Sequence, residues 1–285
     1  MRKLFLLLCL ARLVWAQNPS CLVEDVGAPL YFRSAAMMAE HYAGNVTGLA
    51  ALPMSGSAQF GPETIAEVLS LIPSQKVLVV DLRQESHGFL GDHILTWNAE
   101  HNWANRGLSH DQVLATERAQ LKELAERSEV ELLTEEDYDR GQRAGGEVLP
   151  VSRVSSEEEL VRSTGQDYLR LTVTDHLHPG DEEVERFLQA LEQRPQWVHF
   201  HCRAGVGRTS TFLAMYDMLQ NADKVSLQDI LARQKGVRPG WDLNEISTGA
   251  NRRLSEERHL FLSRFYRYCQ ARLGGSRLKW SEWAT

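Results

Sequence analysis

The chain has 285 residues, 43% of them hydrophobic, and a formal net charge of −7. This length suits one large domain or two small ones, and the composition is that of a globular protein with a buried core. The acidic balance argues against nucleic acid as a partner. An anionic substrate would therefore have to be attracted by a local basic cluster rather than by the charge of the whole molecule.

The N-terminus has the pattern of a secretory signal peptide. Residues 1–16 contain a basic start, an apolar run and a small residue, Ala16, before Gln17. These features predict cleavage after Ala16 and a secreted or periplasmic protein. A buried N-terminal helix is the alternative, because the run is too short to span a membrane. Later segments are not long and apolar enough either, so no membrane association is expected after cleavage.

Cysteine usage is sparse. Three cysteines remain after the predicted cleavage: Cys21, Cys202 and Cys269. They do not form the disulfide framework of a small secreted domain. In an oxidising compartment Cys21 and Cys269 could form a disulfide or remain two free thiols, and the sequence leaves both open.

Strand and helix patterns alternate along the chain. Strands are predicted at residues 76–81, 168–173 and 197–202. Helices are predicted at residues 61–72, 109–127, 181–193, 209–219, 226–234 and 255–272, and short strands and loops at 129–168. This alternation predicts an α/β fold with a mainly parallel central sheet flanked by helices. We expect one domain over residues 17–285, with a small β-containing subdomain inserted within about 90–168.

The most informative segment is residues 201–210, which read His-Cys-Arg-Ala-Gly-Val-Gly-Arg-Thr-Ser. It joins a predicted strand to a predicted helix, where free backbone N–H groups and the helix dipole favour an anion. Cys202 is pushed toward thiolate there, and Arg208 offers a planar fork that matches two phosphate oxygens. Gly205 and Gly207 let the backbone curl around the anion. The alternative, a structural cysteine near a surface arginine, does not account for these details or for His201 and Thr209.

The segment resembles the signature loop of the cysteine-dependent protein tyrosine phosphatase superfamily. In that superfamily a general acid lies on a loop upstream of the nucleophile. Asp175, which follows a predicted strand and precedes Cys202 by 27 residues, fits this position. Its alternative role is that of a solvated turn aspartate.

The resemblance narrows to the protein-tyrosine-phosphatase-like phytases, also called cysteine phytases. It spans roughly residues 50 to 270 and keeps the order of the family's segments. The similar segments are residues 55–60, 80–89, 100–105, 173–176 and 200–209, continued by 233–234 and 264–268.

The resemblance implies a two-step phosphomonoesterase that needs no metal or other cofactor. Cys202 would attack phosphorus, Asp175 would protonate the leaving oxygen, Thr209 would help the sulfur leave, and His201 would orient the loop. The scattered histidines lack zinc-ligand spacing. Oxygens of the bound phosphate would be held by Arg208 and by the loop residues Arg203, Ala204, Gly205, Val206 and Gly207.

Further substrate contacts follow from the same resemblance. Arg83 should contact a substrate phosphate, with an ion-paired arginine at a strand end as the alternative. His176 is also implied, and Arg203 adds positive charge that could favour highly phosphorylated substrates. Lys235 and Arg238 are candidates for the family's substrate-binding lysines. Trp97 and Trp103 are interpreted as core residues.

The implied substrate is a small polyphosphorylated molecule, inositol hexakisphosphate, which loses one phosphate at a time. A secreted protein tyrosine phosphatase is the first alternative. A catalytically inactive phosphate-binding module is the second, and the presence of Cys202, Arg208 and Asp175 argues against it. Turnover of phytate against a phosphotyrosine peptide separates the first two, and binding without turnover would support the last.

Overall fold

The computed structural model of the protein describes residues 20–28, 30–236 and 242–284. The predicted signal peptide and Arg238 lie outside the described residues. Within the described part, no helix has the length and apolar character needed to cross a bilayer.

Strands and helices alternate through the described chain. The strands are β1 Cys21–Asp25, β2 Arg33–Ser34, β3 Met54–Ser57, β4 Leu78–Arg83, β5 His87–Leu90, β6 His93–Asn98, β7 Glu129–Thr134, β8 Glu147–Pro150, β9 Val154–Ser155, β10 Asp167–Val173 and β11 Val198–His201. The α-helices are α1 Ala35–His41, α2 Ile65–Ser70, α3 His110–Ala125, α4 Glu135–Asp139, α5 Glu157–Ser163, α6 Asp181–Glu192, α7 Gly207–Asn221, α8 Leu227–Ala232, α9 Arg252–Leu273 and α10 Trp280–Trp283. Short 3-10 helices occupy Glu100–Asn102, Arg233–Gly236 and Gly249–Asn251.

The main sheet has five strands in the order β10-β4-β11-β3-β2. Its first four strands are parallel, and β2 at the edge is antiparallel to β3. The predicted α/β class with a mainly parallel sheet is therefore confirmed. Because the carboxyl ends of parallel strands meet at one edge, β4, β10 and β11 deliver the residues that follow them to the same place.

Helices cover both faces of this sheet. On one face α6, α7 and α9 bury a core that includes Phe187, Phe200 and Phe212. On the other face α2 and α5 bury a smaller cluster that includes Phe60 and Val161. Helix α7, which the sequence predicts at residues 209–219, is buried along most of its length.

A second sheet of six strands has the order β8-β7-β1-β6-β5-β9. The segment predicted to carry a β-containing insertion supplies several of these strands, and β1 from near the start of the chain pairs in the middle of them. Helix α3 packs here and begins with a capping box, in which Ser109 and Gln112 exchange hydrogen bonds.

One local feature differs from the sequence predictions, and another was left open by the sequence. The helix predicted at 61–72 is only Ile65–Ser70, because the Thr64 hydroxyl accepts from the Gly61 N–H (2.9 Å) and closes a turn before it. Cys21 and Cys269 are both free thiols. Cys269 lies in the main core, where burial raises the pKa of its thiol.

Candidate active site

The loop between β11 and α7 forms the floor of the site. Cys202 follows the last residue of β11, and α7 begins at Gly207 without a side-chain cap, so its first N–H groups face the loop. Gly205 has φ +69°, and a Cβ there would lie 2.3 Å from the backbone nitrogen of Ala58. Only glycine fits this close approach, and the free N–H groups form an anion-binding cradle.

Cys202 lies at the bottom of a pocket of about 600 Å³. Only 3% of the residue is exposed, and the Thr209 hydroxyl donates a hydrogen bond to its sulfur at 3.2 Å. The structure thus places Thr209 where the sequence analysis expected it to act on the sulfur. His201 lies behind the loop with its Nε2 2.7 Å from a Glu157 carboxylate oxygen.

Arg208 is held rigidly beside the cysteine. Its Nη1 and Nη2 donate to the two carboxylate oxygens of Glu85 at 2.7 and 2.9 Å, and Nη1 also donates to the Val173 carbonyl at 3.1 Å. Burial alone would lower the pKa of Arg208, but Asp175 and Glu85 raise it well above its ordinary value. The pKa of Glu85 is lowered in return by Arg208 and Arg83, against the effect of burial. The guanidinium therefore stays charged in one orientation.

Asp175 lies on the loop after β10 and faces Arg208, with its Oδ1 3.3 Å from Arg208 Nε. The backbone N–H of His176 donates to the same Oδ1 at 3.0 Å. The side chain of Asp175 is 26% exposed. Cys202, Arg208, Asp175 and His176 all line one pocket, so the structure brings these predicted site residues together.

Arg83 departs from its expected position. It is fully buried, and its guanidinium donates to Glu85 at 2.8 Å, Asp25 at 3.1 Å, Gln59 at 2.8 Å and Thr96 at 2.6 Å. With its donors used inside the fold, Arg83 does not face the pocket. The arrangement matches the alternative role, an ion-paired arginine at the end of a strand, rather than the expected phosphate contact.

Two other predicted cations are partly neutralised. Arg203 lines the pocket, but its Nε donates to Asp25 at 2.7 Å and its Nη2 lies 3.3 Å from Glu135. Much of the positive charge that the sequence analysis assigned to position 203 is therefore offset. Lys235 is half exposed and lies 3.6 Å from Glu245, whose side chain lines the pocket rim.

Two residues of the site were not predicted from the sequence. Glu85 orients Arg208, as described above. Arg258 of α9 lines the pocket, and its Nη1 would lie 3.7 Å from a Cβ built on Gly207. Burial lowers the pKa of Arg258, and no described residue pairs with it. The sequence held one indication that Arg258 differs from its neighbours on the helix. Arg252 and Arg253 each have a glutamate four residues later that can pair with them, whereas Arg258 has Leu262 there.

Behind the loop lies a buried group of charged side chains. Oxygen and nitrogen atoms of Asp81, Glu157 and His201 lie within 4.8 Å of one another, a spacing that the scattered sequence positions did not reveal. These groups already have partners inside the fold. Asp81 lies 2.8 Å from Arg170 and 3.1 Å from His87, and Glu157 lies 3.2 Å from His87.

Comparison with known proteins places this architecture in a family. Residues 80–220 match the family model of the PTP-like phytases, whose description names inositol hexakisphosphate. A PTP-like phytase from Bdellovibrio bacteriovorus superimposes with a TM-score of 0.76 at 34% identity, covering 94% of this chain and 95% of that one. The PTP-like myo-inositol phosphatase from Mitsuokella multacida, solved with myo-inositol-(1,3,4,5)-tetrakisphosphate, gives a TM-score of 0.84 at 31% identity, covering 93% of this chain and 47% of that one.

A curated relative is the effector protein hopD2 of Pseudomonas syringae pv. tomato, which is 28% identical over 244 residues. The alignment covers 83% of this chain and 52% of hopD2. The chain thus spans about half the length of hopD2 and of the Mitsuokella protein. Fold and site together define a protein of the tyrosine-phosphatase-like class. Within it, the chain belongs to the PTP-like phytase family, as its sequence segments predicted.

Proposed function

We propose that this protein is a cysteine-dependent phosphatase that removes phosphates stepwise from inositol hexakisphosphate through a cysteinyl-phosphate intermediate. The observation that carries the proposal is the convergence of three groups on one pocket. Cys202, Arg208 and Asp175 meet at the uncapped start of α7. A nucleophile, a fixed cation and an acid at an anion-binding helix end are the groups that phosphoryl transfer needs.

In the first step the Cys202 thiolate attacks phosphorus. The S–P bond forms as the bond from phosphorus to the leaving oxygen breaks, and protonated Asp175 gives its proton to that oxygen. Arg208 and the N–H groups of the loop stabilise the charge on the equatorial oxygens. Binding of the phosphate would draw Arg208 donors toward it, while Glu85 keeps the guanidinium plane in position.

In the second step a water molecule attacks the cysteinyl phosphate. Asp175, now a carboxylate, takes a proton from the water as the new O–P bond forms. The S–P bond breaks, and the Thr209 hydroxyl stabilises the departing thiolate through the 3.2 Å hydrogen bond. Inorganic phosphate is released, and the protein returns to its starting protonation state.

The size and charge of the pocket support an inositol phosphate. A volume of about 600 Å³ accommodates a six-membered ring with its phosphates. Arg258, rather than Arg83, is the residue that we expect to bind a phosphate that is not being cleaved. It lines the pocket, and no described residue pairs with its guanidinium. The bound inositol phosphate of the Mitsuokella relative agrees with this substrate class.

One observation favours a second candidate, a protein tyrosine phosphatase. The pocket is lined by exposed apolar side chains, namely Val26, Leu30, Tyr31 and Ile246. Such a rim could pack against the ring and neighbours of a phosphotyrosine. The family match and the pocket cations favour the inositol phosphate, so this candidate stands second.

A turnover experiment tests the proposal. Phosphate release is measured from phytate and from a phosphotyrosine peptide, with the inositol products separated by chromatography. We expect phytate to give the higher kcat/KM and a ladder of lower inositol phosphates. Cys202→Ser should abolish turnover and keep phytate binding, because a hydroxyl is a far weaker nucleophile than a thiolate. A higher kcat/KM on the peptide would favour a protein tyrosine phosphatase. If the wild type bound phytate without turning it over, the protein would be a phosphate-binding module instead of an enzyme.

A further inference from the structure

Asp175 is held by residues from another part of the chain. The indole N–H of Trp103 donates to the backbone carbonyl of Asp175 at 2.9 Å, and the Asn102 side-chain amide donates to its Oδ2 at 3.3 Å. Together with the contacts to His176 and Arg208, both carboxylate oxygens and the carbonyl of Asp175 have partners. The loop after β10 therefore does not position Asp175 by itself.

The segment that supplies these contacts is itself tightly anchored. Arg106 stacks over the Trp103 ring at 4.1 Å from its centroid. The Asn105 amide donates to the Gln84 carbonyl at 3.0 Å and to the Ser86 hydroxyl at 2.9 Å, on either side of Glu85. Residues 102–105 thus touch both the Asp175 loop and the turn that carries Glu85, the partner of Arg208.

The backbone of this segment has an unusual conformation. His101 and Asn102 are consecutive non-glycine residues in the left-handed region, with φ of 56° and 62°. Asn102 is also buried, and its Oδ1 has no hydrogen-bond partner among the described residues. Such conformations persist where the surroundings impose them, and they cluster at functional sites. An amide beside a carboxyl can donate to the carboxylate or, after rotation, accept from the protonated acid.

We propose that Trp103 and Asn102 are positioning residues that hold Asp175 beside Arg208 in the conformation for proton transfer. The inference rests on the proposed role of Asp175 as general acid and goes beyond it. It means that two side chains fix the conformation of the loop that carries the acid. From the sequence, Trp103 was interpreted as a core residue and Asn102 was given no role. Since the contacts reach Asp175 rather than the cysteine loop, they should affect kcat/KM, which reports the first chemical step, only when the leaving group needs a proton.

The leaving group therefore provides the test. Trp103→Phe keeps an aromatic ring and removes the indole N–H, and kcat/KM is measured on phytate and on dinitrophenyl phosphate. An inositol alkoxide must be protonated as it leaves, whereas dinitrophenolate need not be. We expect a loss of about tenfold or more on phytate and a change within about twofold on dinitrophenyl phosphate, since general acid catalysis contributes 10²–10⁴ in rate. The ratio of the two values does not depend on how much of the variant folds.

Two further variants sharpen the result. Asn102→Gly removes the amide at a backbone conformation that glycine accepts, and it should lower the same ratio. Trp197→Phe is the matched control, because it removes an indole hydrogen bond to Ser55 (2.9 Å) from a similarly half-buried tryptophan away from Asp175. It should leave the ratio unchanged.

Other outcomes would overturn the inference. Equal losses on both substrates, or no loss in either variant, would mean that Asp175 is placed without these residues. Asp175→Asn separates this failure from that of the proposed function. If Asp175→Asn lowers the ratio and Trp103→Phe does not, the inference alone fails. If the wild type hydrolyses neither ester, the function and the inference fail together.

Discussion

Arg258 is the pocket cation that no described carboxylate neutralises, so its charge is available to a substrate. Replacing it with Met keeps the apolar stem and removes the charge. We expect Arg258→Met to lower kcat/KM for phytate about tenfold or more, since hydrogen bonds to charged groups are worth roughly 1.5–3 kcal/mol. A small monophosphate such as 4-nitrophenyl phosphate should be affected far less, because it has no second phosphate.

The control for this prediction is on the same helix. Arg253 is exposed and paired with Glu257, so Arg253→Met should leave both substrates unchanged. Equal losses on phytate and the small ester in Arg258→Met would place Arg258 in the fold or in the chemistry. It would then have no part in recognising a second phosphate.

Individual residues differ in how far the sequence predicts them. Cys202, Arg208 and Thr209 are close in sequence, so a strand–loop–helix pattern is enough to bring them together. Asp175 was predicted from the superfamily resemblance and from its place after a predicted strand. The parallel sheet explains why that strand end lies near Cys202, because the carboxyl ends of parallel strands meet at one edge. The role of Arg83 could not be predicted from the sequence in this way. Its partner Asp25 is 58 residues away on a strand that was not predicted, and no local pattern shows whether a guanidinium faces a pocket or a carboxylate.

Among the structural elements, the loop between β11 and α7 sets the strictest requirement. A Cβ at Gly205 would lie 2.3 Å from Ala58 N and 2.5 Å from the Ser57 carbonyl carbon, at a φ of +69°. Both contacts are with backbone, which cannot rotate away. We expect Gly205→Ala to abolish measurable turnover and to lower the free energy of unfolding by roughly 2 kcal/mol or more, measured by urea denaturation.

Gly165 provides the matched control at the element scale. It also has a left-handed backbone, at φ +80°, but a Cβ there would meet nothing within 4 Å. Gly165→Ala should cost only the conformational strain, about 1 kcal/mol, and should keep full activity. If the two variants were equally active, the close packing of the loop on Ser57 and Ala58 would not be needed for function.

The elements themselves were predicted unevenly. Helix α3 has a capping box and α6 an amphipathic pattern, so both appear within a few residues of their predicted bounds. Strand β5 was missed, because His87–Leu90 is fully buried and has no alternation of polar and apolar residues. Strand β6 was predicted only as part of the β-containing insertion. Their pairing partners β1 and β9 are also distant in sequence, so the second sheet could not be assembled from local signals.

At the scale of the whole molecule, two buried histidines with opposite behaviour should set the pH dependence of stability. Burial and Arg83 act to lower the pKa of His87, but Asp81 and Glu117 outweigh them and raise it to about 9. Burial, with the charges of His201 and Arg33, lowers the pKa of His199 to about 3. His87 therefore favours folding as a cation, and His199 as the neutral form.

The signs of these shifts place the stability maximum near pH 6.5. The contribution of His87 is complete below 6.5 and is lost as the pH rises through 9, whereas that of His199 is complete above 6.5 and is lost as the pH falls toward 3. The His87 shift corresponds to roughly 3 kcal/mol of unfolding free energy and the His199 shift to roughly 5 kcal/mol. Urea denaturation from pH 4 to 9 follows both limbs. His87→Gln should flatten the alkaline limb and His199→Gln the acidic limb, and limbs unchanged in both variants would contradict the assignment.

In the proposed mechanism the reaction passes through a phosphate bound covalently to Cys202. Radiolabelled phytate is mixed with the protein, quenched rapidly in acid and digested, and the labelled peptide is identified by mass spectrometry. We expect a transient label on the peptide that contains Cys202, no label in Cys202→Ser, and a longer-lived label in Asp175→Asn, where the water-activating base is missing. Turnover by the wild type without any label on Cys202, or residual turnover by Cys202→Ser, would contradict this mechanism.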